Sequence, residues 1–312
     1  PLPALGDYSS ASISLSGEYE LGRLWLAMYR GSTKEHSDPL MRTYLEDLIY
    51  RLSETSEVRD RRFEFIILED KTINAFAAPG GIIGINLGMF LNTEREGELA
   101  SVMCHELAHL SQRHFARSQN RNSPLANALM ILGSIAVAAA SRNPEAILIA
   151  PAAMQQMSIN YTRSNEKEAD RIGFNNLVKA GFDPNDMTMM FQRMQDKYQN
   201  EDSEQFSYLM THPLPSERLT DMRIRADGLK NNSKNLFRDN LDFYLMQKRA
   251  QVWAEKDIKE LVKRFKRNLK SQNKNTEVSN RYGLSLAYKK NKDFEKSFGI
   301  LRELIKETPN NL

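Results

Sequence analysis

A chain of 312 residues with 41% hydrophobic and 27% charged side chains has the make-up of a folded globular protein, which excludes a disordered or fibrous one. A formal net charge of +3 is too small to argue for a polyanionic partner on its own, and the single cysteine, Cys104, excludes an internal disulfide. The charge is uneven: residues 246–312 carry 17 Lys and Arg against 8 Asp and Glu, so an acidic body precedes a basic tail and two modules are expected.

The chain opens at Pro1 rather than Met, so a processed or trimmed start is expected, and no signal peptide is there to read. Residues 1–16, rich in Ser, Pro, Gly and Ala, read as an irregular lead-in. Glu18–Tyr29 and Pro39–Leu52 read as helices, the second because Leu45, Leu48, Ile49 and Leu52 recur at three- and four-residue spacing. Phe63–Glu69 predicts a strand, and Ile73–Ala77 and Ile82–Asn86 predict two more joined by a turn at Pro79-Gly80-Gly81. Thr93 followed by Glu96 fits a capping box for a helix from about Glu94 to about Arg117. Residues 123–154 are strongly apolar, but the longest run, 125–140, is 16 residues and a membrane span needs about 20. With a break at Arg142-Asn143-Pro144, a helical hairpin packed on the domain is expected, and a peripheral membrane contact through 125–154 stays open. Glu166–Ala180 reads as a helix stopped by Gly181, with Asp183-Pro184 starting the next element. His212-Pro213-Leu214-Pro215 reads as a stiff loop, and the polar stretch Asn231–Asn235 as a domain boundary.

The chemistry concentrates in His105-Glu106-Leu107-Ala108-His109. Residues four apart share a helix face, so two imidazoles can reach one zinc ion, while Glu106 sits beside the metal and can take the proton of the attacking water. Met103, Leu107 and Leu110 project to the opposite side and would seat the helix in the core. A catalytic zinc keeps three protein ligands, and Glu166 and Asp170 are again four apart. Glu166 is the expected third ligand, a gluzincin-like choice, and Asp170 the acceptor for the free ring N–H of a ligand histidine. Glu168 reads as an exposed charge at a helix start. Cys104 reads as a small buried side chain, His114 as pointing away from the site, and His36 as lying in a polar loop with no partner. His212, with Arg218 six residues on, reads either as an oxyanion-stabilising pair on a stiff loop or, for the imidazole, as a fourth metal ligand in a latent resting state.

These motifs in order, with Asn74-Ala75-Phe76-Ala77 and Pro79-Gly80-Gly81 upstream, resemble metallopeptidase family 48, which includes the CAAX prenyl proteases, HtpX and the periplasmic BepA-type proteases. The resemblance spans roughly Asn74 to Arg218. It implies zinc, one per chain, on His105, His109 and Glu166, with Glu106 as general base. It also implies His212 and Arg218 as a substrate-side or regulatory pair, and Asn74, Ala75, Phe76 and Ala77 lining a cleft where substrate adds as a strand. The several clear membrane spans of the CAAX proteases and HtpX have no counterpart in this sequence, so it looks like the soluble, BepA-like branch. That branch implies a periplasmic location, misassembled outer-membrane proteins as substrates and their assembly machinery as partner.

The tail is consistent with that branch. Tyr282–Asn310 resembles a tetratricopeptide repeat, with Leu284, Tyr288, Phe294, Ser297, Leu301, Leu304 and Pro309 near the pattern positions, and Tyr244–Arg267 would supply an earlier helix pair. The chain stops inside this repeat-like stretch, so the natural protein is expected to be longer. The expected fold is mainly α with a small β-sheet, an α+β zincin-like metallopeptidase domain at 1–235, followed by an all-α tetratricopeptide-type segment at 240–312. Two other readings compete: a chaperone or adaptor with a largely latent peptidase site, and a nucleic-acid binder using Lys263, Arg264, Lys266, Arg267 and Lys270. The last is set aside because no stacking aromatics interleave those charges, and no nucleic-acid partner is expected.

Overall fold

The computed structural model describes residues 13–119, 162–200, 207–214, 216–229, 240–269 and 273–308. The first helix, α1 (Leu15–Ser32), starts ahead of the expected Glu18 because the Ser14 hydroxyl accepts from the Gly17 amide at 3.0 Å. Helix α2 (Pro39–Glu54) follows, with Pro39 in its first turn and Asp38 capping the amides of Leu40 and Met41.

Strands β1 (Glu64–Leu68), β2 (Ala75–Ala78) and β3 (Ile82–Asn86) form a three-stranded sheet in the order β1-β3-β2. The pair β1–β3 is parallel and β2–β3 antiparallel, so β3 is central, and all five of its residues are buried. The turn between β2 and β3 needs Gly80 and Gly81, both at φ 77°, a region that side chains with a Cβ avoid. One sheet face receives Trp25 and Leu26 of α1 against Ile66, Leu68, Ala78 and Ile82. Phe65, Ile67, Ile83 and Ile85 join the main core with α2 and the helix that carries the metal motif.

After the one-and-a-half-turn helix α3 (Leu87–Asn92), which the sequence pattern did not reveal, comes α4 (Glu96–Ser111). The expected capping box is absent. Thr93 turns its hydroxyl back to the Met89 carbonyl at 2.9 Å and closes α3, so Arg95 stands at the start of α4 without a side-chain cap. Glu96 instead accepts from the Tyr44 hydroxyl at 2.9 Å. Every residue from Glu96 to His109 is buried, so α4 is the central helix of the body and its polar groups must find partners inside. The expected single helix to Arg117 breaks at Arg113, whose φ is 51°, and restarts as α5 (His114–Gln119).

Helices α6 (Arg163–Lys179), α7 (Asn185–Asn200), α8 (Ser207–Thr211) and α9 (Ser216–Leu229) complete the body. Helix α6 crosses α4 closely at Gly173, where a Cβ would lie 3.0 Å from the Cys104 backbone and the His105 Cα. Glycine there lets the two helices that carry the paired motifs meet.

The tail forms two consecutive helix pairs, α10 (Leu241–Ala254) with α11 (Ile258–Arg267) and α12 (Lys274–Lys290) with α13 (Phe294–Glu307). Phe243, Leu245, Met246 and Ala250 of α10 belong to the same buried cluster as Met41, Leu45 and Phe90. Among the described residues no helix is long and apolar enough to cross a membrane. The apolar stretch 123–154, with its expected hairpin and membrane contact, and the boundary at 231–235 lie outside the described residues.

One ion pair ties tail to body. Asp38, with its side chain 1% exposed, accepts from Arg249 at 2.6 and 2.9 Å and from the Trp253 indole at 3.0 Å. Burial works against the charge on Asp38, but Arg249 outweighs it and holds the carboxyl below its ordinary value. Asp38→Ala is expected to cost about 3 kcal/mol, because it strands Arg249 and removes the α2 cap. For wild type, a depressed folded pKa means this stabilisation is whole above pH ~4 and is lost as the pH falls through the folded value. Urea unfolding checks both, and a loss under ~0.5 kcal/mol would mean that Asp38 is not the tie.

Candidate metal centre

The site forms where four stretches of chain converge. Helix α4 presents His105, Glu106 and His109; α6 presents Glu166 and Asp170; the loop after α8 brings His212; and α9 brings Arg218. All seven are buried. The Nε2 atoms of His105 and His109 face each other at 2.9 Å. Glu166 closes the triangle, with Oε2 3.5 Å from His105 Nε2 and Oε1 3.3 Å from His109 Nε2. His212 Nδ1 lies 3.1 Å from Glu166 Oε1, and one donor atom from each of the four residues falls within 4.8 Å of the others. Ligands on a tetrahedral zinc at ordinary bond lengths stand about 3.3 Å apart, so these spacings match that geometry.

The chemistry of the donors agrees. The outer nitrogen of each motif histidine is engaged: His105 Nδ1 lies 3.0 Å from Asp170 Oδ1, and His109 Nδ1 lies 2.9 Å from His114 Nδ1. Both rings thereby direct bare Nε2 lone pairs at the same point. Glu106, beside them, has both carboxylate oxygens buried without a hydrogen-bond partner among the described residues. A carboxylate kept in that condition costs stability and is explained by a reacting group placed against it. The residues fit one zinc ion.

A model of peptidase family M48 matches residues 39–226. The chain belongs to peptidase family M48. This M48 chain is 38% identical over 316 residues to a putative beta-barrel assembly-enhancing protease of Vibrio cholerae, covering 99% of this chain and 64% of the relative. It is 32% identical over 319 residues to the beta-barrel assembly-enhancing protease of Escherichia coli, again 99% and 64%. With the mitochondrial metalloendopeptidase OMA1 of Schizosaccharomyces pombe it shares 27% identity over 197 residues, 61% of this chain and 56% of that protein. The chain thus spans under two thirds of the length of the relatives it matches over nearly its whole extent.

Within the M48 site, Arg218 approaches from behind. Its guanidinium forks onto Asp170 at 2.6 and 2.7 Å, reaches Glu166 Oε2 at 2.9 Å and donates to the Pro213 carbonyl at 2.6 Å. It fixes the acids of α6 and the loop that carries His212, in a bidentate geometry that lysine cannot copy. Burial opposes ionisation of Glu166, but His212, His105 and His109 outweigh it and hold the carboxyl far below the usual range. Burial raises the Glu106 carboxyl, the direction a general base for neutral pH requires.

The cleft residues divide. Ala77 lines a cavity of about 490 Å³ that runs from the β2–β3 turn past His109 to Phe115. Phe76 turns to the far sheet face and meets Trp25 and Tyr29 with ring centroids at 5.9 Å, while Ala75 is fully buried and Asn74 only partly so. Cys104, Met103 and Leu107 are buried as expected, and burial pushes the Cys104 thiol up, away from thiolate chemistry.

Three polar side chains behave otherwise than their sequence setting implied. His36 is buried, with Nδ1 3.2 Å from Glu69 and its ring edge-on to Trp253. His114 turns toward the site, against the outer face of His109. Glu168 is no exposed charge: it holds His114 Nε2 at 3.1 Å and Arg117 at 2.8 Å. The one signal for the last two was a further histidine five residues past the motif, and helical spacing alone aims it elsewhere.

Proposed function

We propose that this chain is a zinc-dependent metalloendopeptidase of envelope protein quality control, acting in the periplasm on misfolded or misassembled outer-membrane proteins. The observation that carries the chemistry is the buried His105, His109, Glu166 and His212 set with the Glu106 carboxylate beside it, buried and without a hydrogen-bond partner among the described residues. Zinc, when bound, supplies a Lewis acid that acidifies water and polarises the scissile carbonyl. Glu106 takes the proton of the attacking water and delivers it to the leaving amine. Asp170 and Arg218 hold His105, Glu166 and the His212 loop in place. The edge strand β2, with one side free of sheet partners among the described residues, offers main-chain groups to an extended peptide running into the cavity at Ala77.

The relatives' names, beta-barrel assembly-enhancing protease, support the assembly role; the partner in this reading is the outer-membrane protein assembly machinery. In this reading residues 1–235 do the chemistry and 240–312 dock partners, although α10 packs into the peptidase core. Of the repeat positions in the tail, Leu284, Tyr288, Ser297 and Leu304 are buried, whereas Phe294 is exposed and Pro309 lies outside the described residues. A second reading, a chaperone or adaptor with a largely latent site, is favoured by one observation: His212 stands among the ligand atoms.

Metal analysis with a casein assay separates the two. One zinc per chain, cleavage, and loss of cleavage on chelation with recovery on adding zinc are expected for the peptidase. A zinc-loaded protein that cleaves nothing but prevents client aggregation would favour the adaptor. A protein that takes up no zinc would end the peptidase reading.

A further inference from the structure

The buried contact between His109 and His114 does not belong to the ligand set, and it has a direction. His109 directs Nε2 at the metal position, so its proton sits on Nδ1 and is donated to His114 Nδ1 at 2.9 Å. His114 must then carry its own proton on Nε2, which it donates to Glu168 Oε2 at 3.1 Å. Arg117 donates to the same Glu168 oxygen at 2.8 Å and anchors the end of the chain of bonds. His114 is 0% exposed, and its ring meets that of His109 edge-on at a centroid distance of 4.9 Å, which leaves little freedom to either ring.

The backbone is shaped for this contact. On an uninterrupted helix, five residues past His109 would fall well round the cylinder from it. The left-handed residue Arg113 breaks α4 and swings α5 back, which carries His114 over the outer edge of His109. A non-glycine residue in that region is uncommon and costs energy, so tertiary contacts must hold it. They do: Arg113 Nε donates to Glu18 at 3.0 Å and Nη2 donates to the Ile13 carbonyl.

We propose that His114, backed by Glu168, is the positioning residue for the zinc ligand His109: it fixes that ring's tautomer and orientation and, through the Glu168 charge, strengthens it as a donor. The inference rests on the metallopeptidase reading. Asp170 gives His105 the same support from the opposite side, so each motif histidine is held by a carboxylate, one directly and one through a second imidazole.

The test is zinc affinity, measured by competition with a chromogenic chelator, together with the visible spectrum of the cobalt-substituted protein. His114→Leu, which removes the acceptor, is expected to weaken zinc about 10–100-fold and to shift the cobalt bands. His114→Asn, which places an amide oxygen near the lost Nδ1, is expected to restore most of the affinity. Glu168→Gln keeps an acceptor but not the charge and is expected to weaken zinc by only about 3–10-fold. A purely structural histidine would lower the melting temperature in both His114 variants without this pattern. If His114→Leu does not fold, Glu168→Gln decides the matter. Affinity within twofold of wild type in His114→Leu, or in Glu168→Gln where the former does not fold, with unchanged cobalt bands, would overturn the proposal. Failure of wild type itself to bind zinc would overturn the metallopeptidase reading instead.

Discussion

Glu106→Gln is expected to hold zinc as wild type does and to cleave casein about 10²–10⁴-fold more slowly. The substitution keeps the shape of the side chain and removes only its capacity to accept a proton. Glu106 lies outside the group of atoms that meet at the metal position, so the ligand set is untouched. Both its oxygens are buried without a hydrogen-bond partner among the described residues, so no hydrogen bond there is broken and the fold should be little affected. Zinc analysis and cleavage must be read together. A variant that cleaves at the wild-type rate with its zinc in place would show that Glu106 is not the base. By contrast, His105→Ala, His109→Ala or Glu166→Ala should lose the metal and with it some of the stability of the folded state.

His212→Ala separates two mechanisms by the sign of its effect. If His212 donates to the oxyanion, the change should lower kcat by about 10²–10³. If its imidazole competes with water for the fourth corner, the same change should raise basal cleavage. The geometry favours the second in the resting state. Nδ1 sits 3.1 and 3.2 Å from the two Glu166 oxygens, at a corner of the ligand cluster, and Nε2 lies 3.7 Å from Glu106 Oε1, facing the base that water would otherwise meet. An imidazole that holds the corner nine-tenths of the time would hide about tenfold of activity, which its removal would release. The comparison is clean because Arg218 is anchored mainly on Asp170, Glu166 and Pro213, none of which the substitution removes. An inactive His212→Ala enzyme, together with a resting structure that shows water on the zinc, would sink the latent reading.

What could be read from the sequence was what local geometry determines. The i, i+4 pairs His105–His109 and Glu166–Asp170 each become one face of one helix, whatever the rest of the chain does. Central strand β3 was legible because its isoleucine-rich stretch directly follows the turn signal Pro79-Gly80-Gly81. Features that depend on distant partners were not legible. Thr93 fits a cap by pattern, but it closes α3, a helix too short to show a period. His114 was misdirected because nothing in the sequence marks Arg113 as left-handed; the residues that hold it, Ile13 and Glu18, lie about a hundred positions upstream. Glu168 could not be known as partly buried and paired until α5 was placed against α6. The Asp38–Arg249 tie likewise joins residues 211 apart, for which no spacing rule exists.

The convergence of α4, α6, the His212 loop and α9 has a consequence in time. No segment shorter than the stretch from residue 105 to residue 218 contains the complete set of groups. A chain in which these segments have not yet met therefore carries only isolated imidazoles and carboxylates and lacks the assembled centre. The complete set needs α6 seated on α4 at Gly173 and Arg218 bonded behind it to Asp170. A peptidase built this way, as proposed above, has no assembled metal centre while its own chain is unfolded.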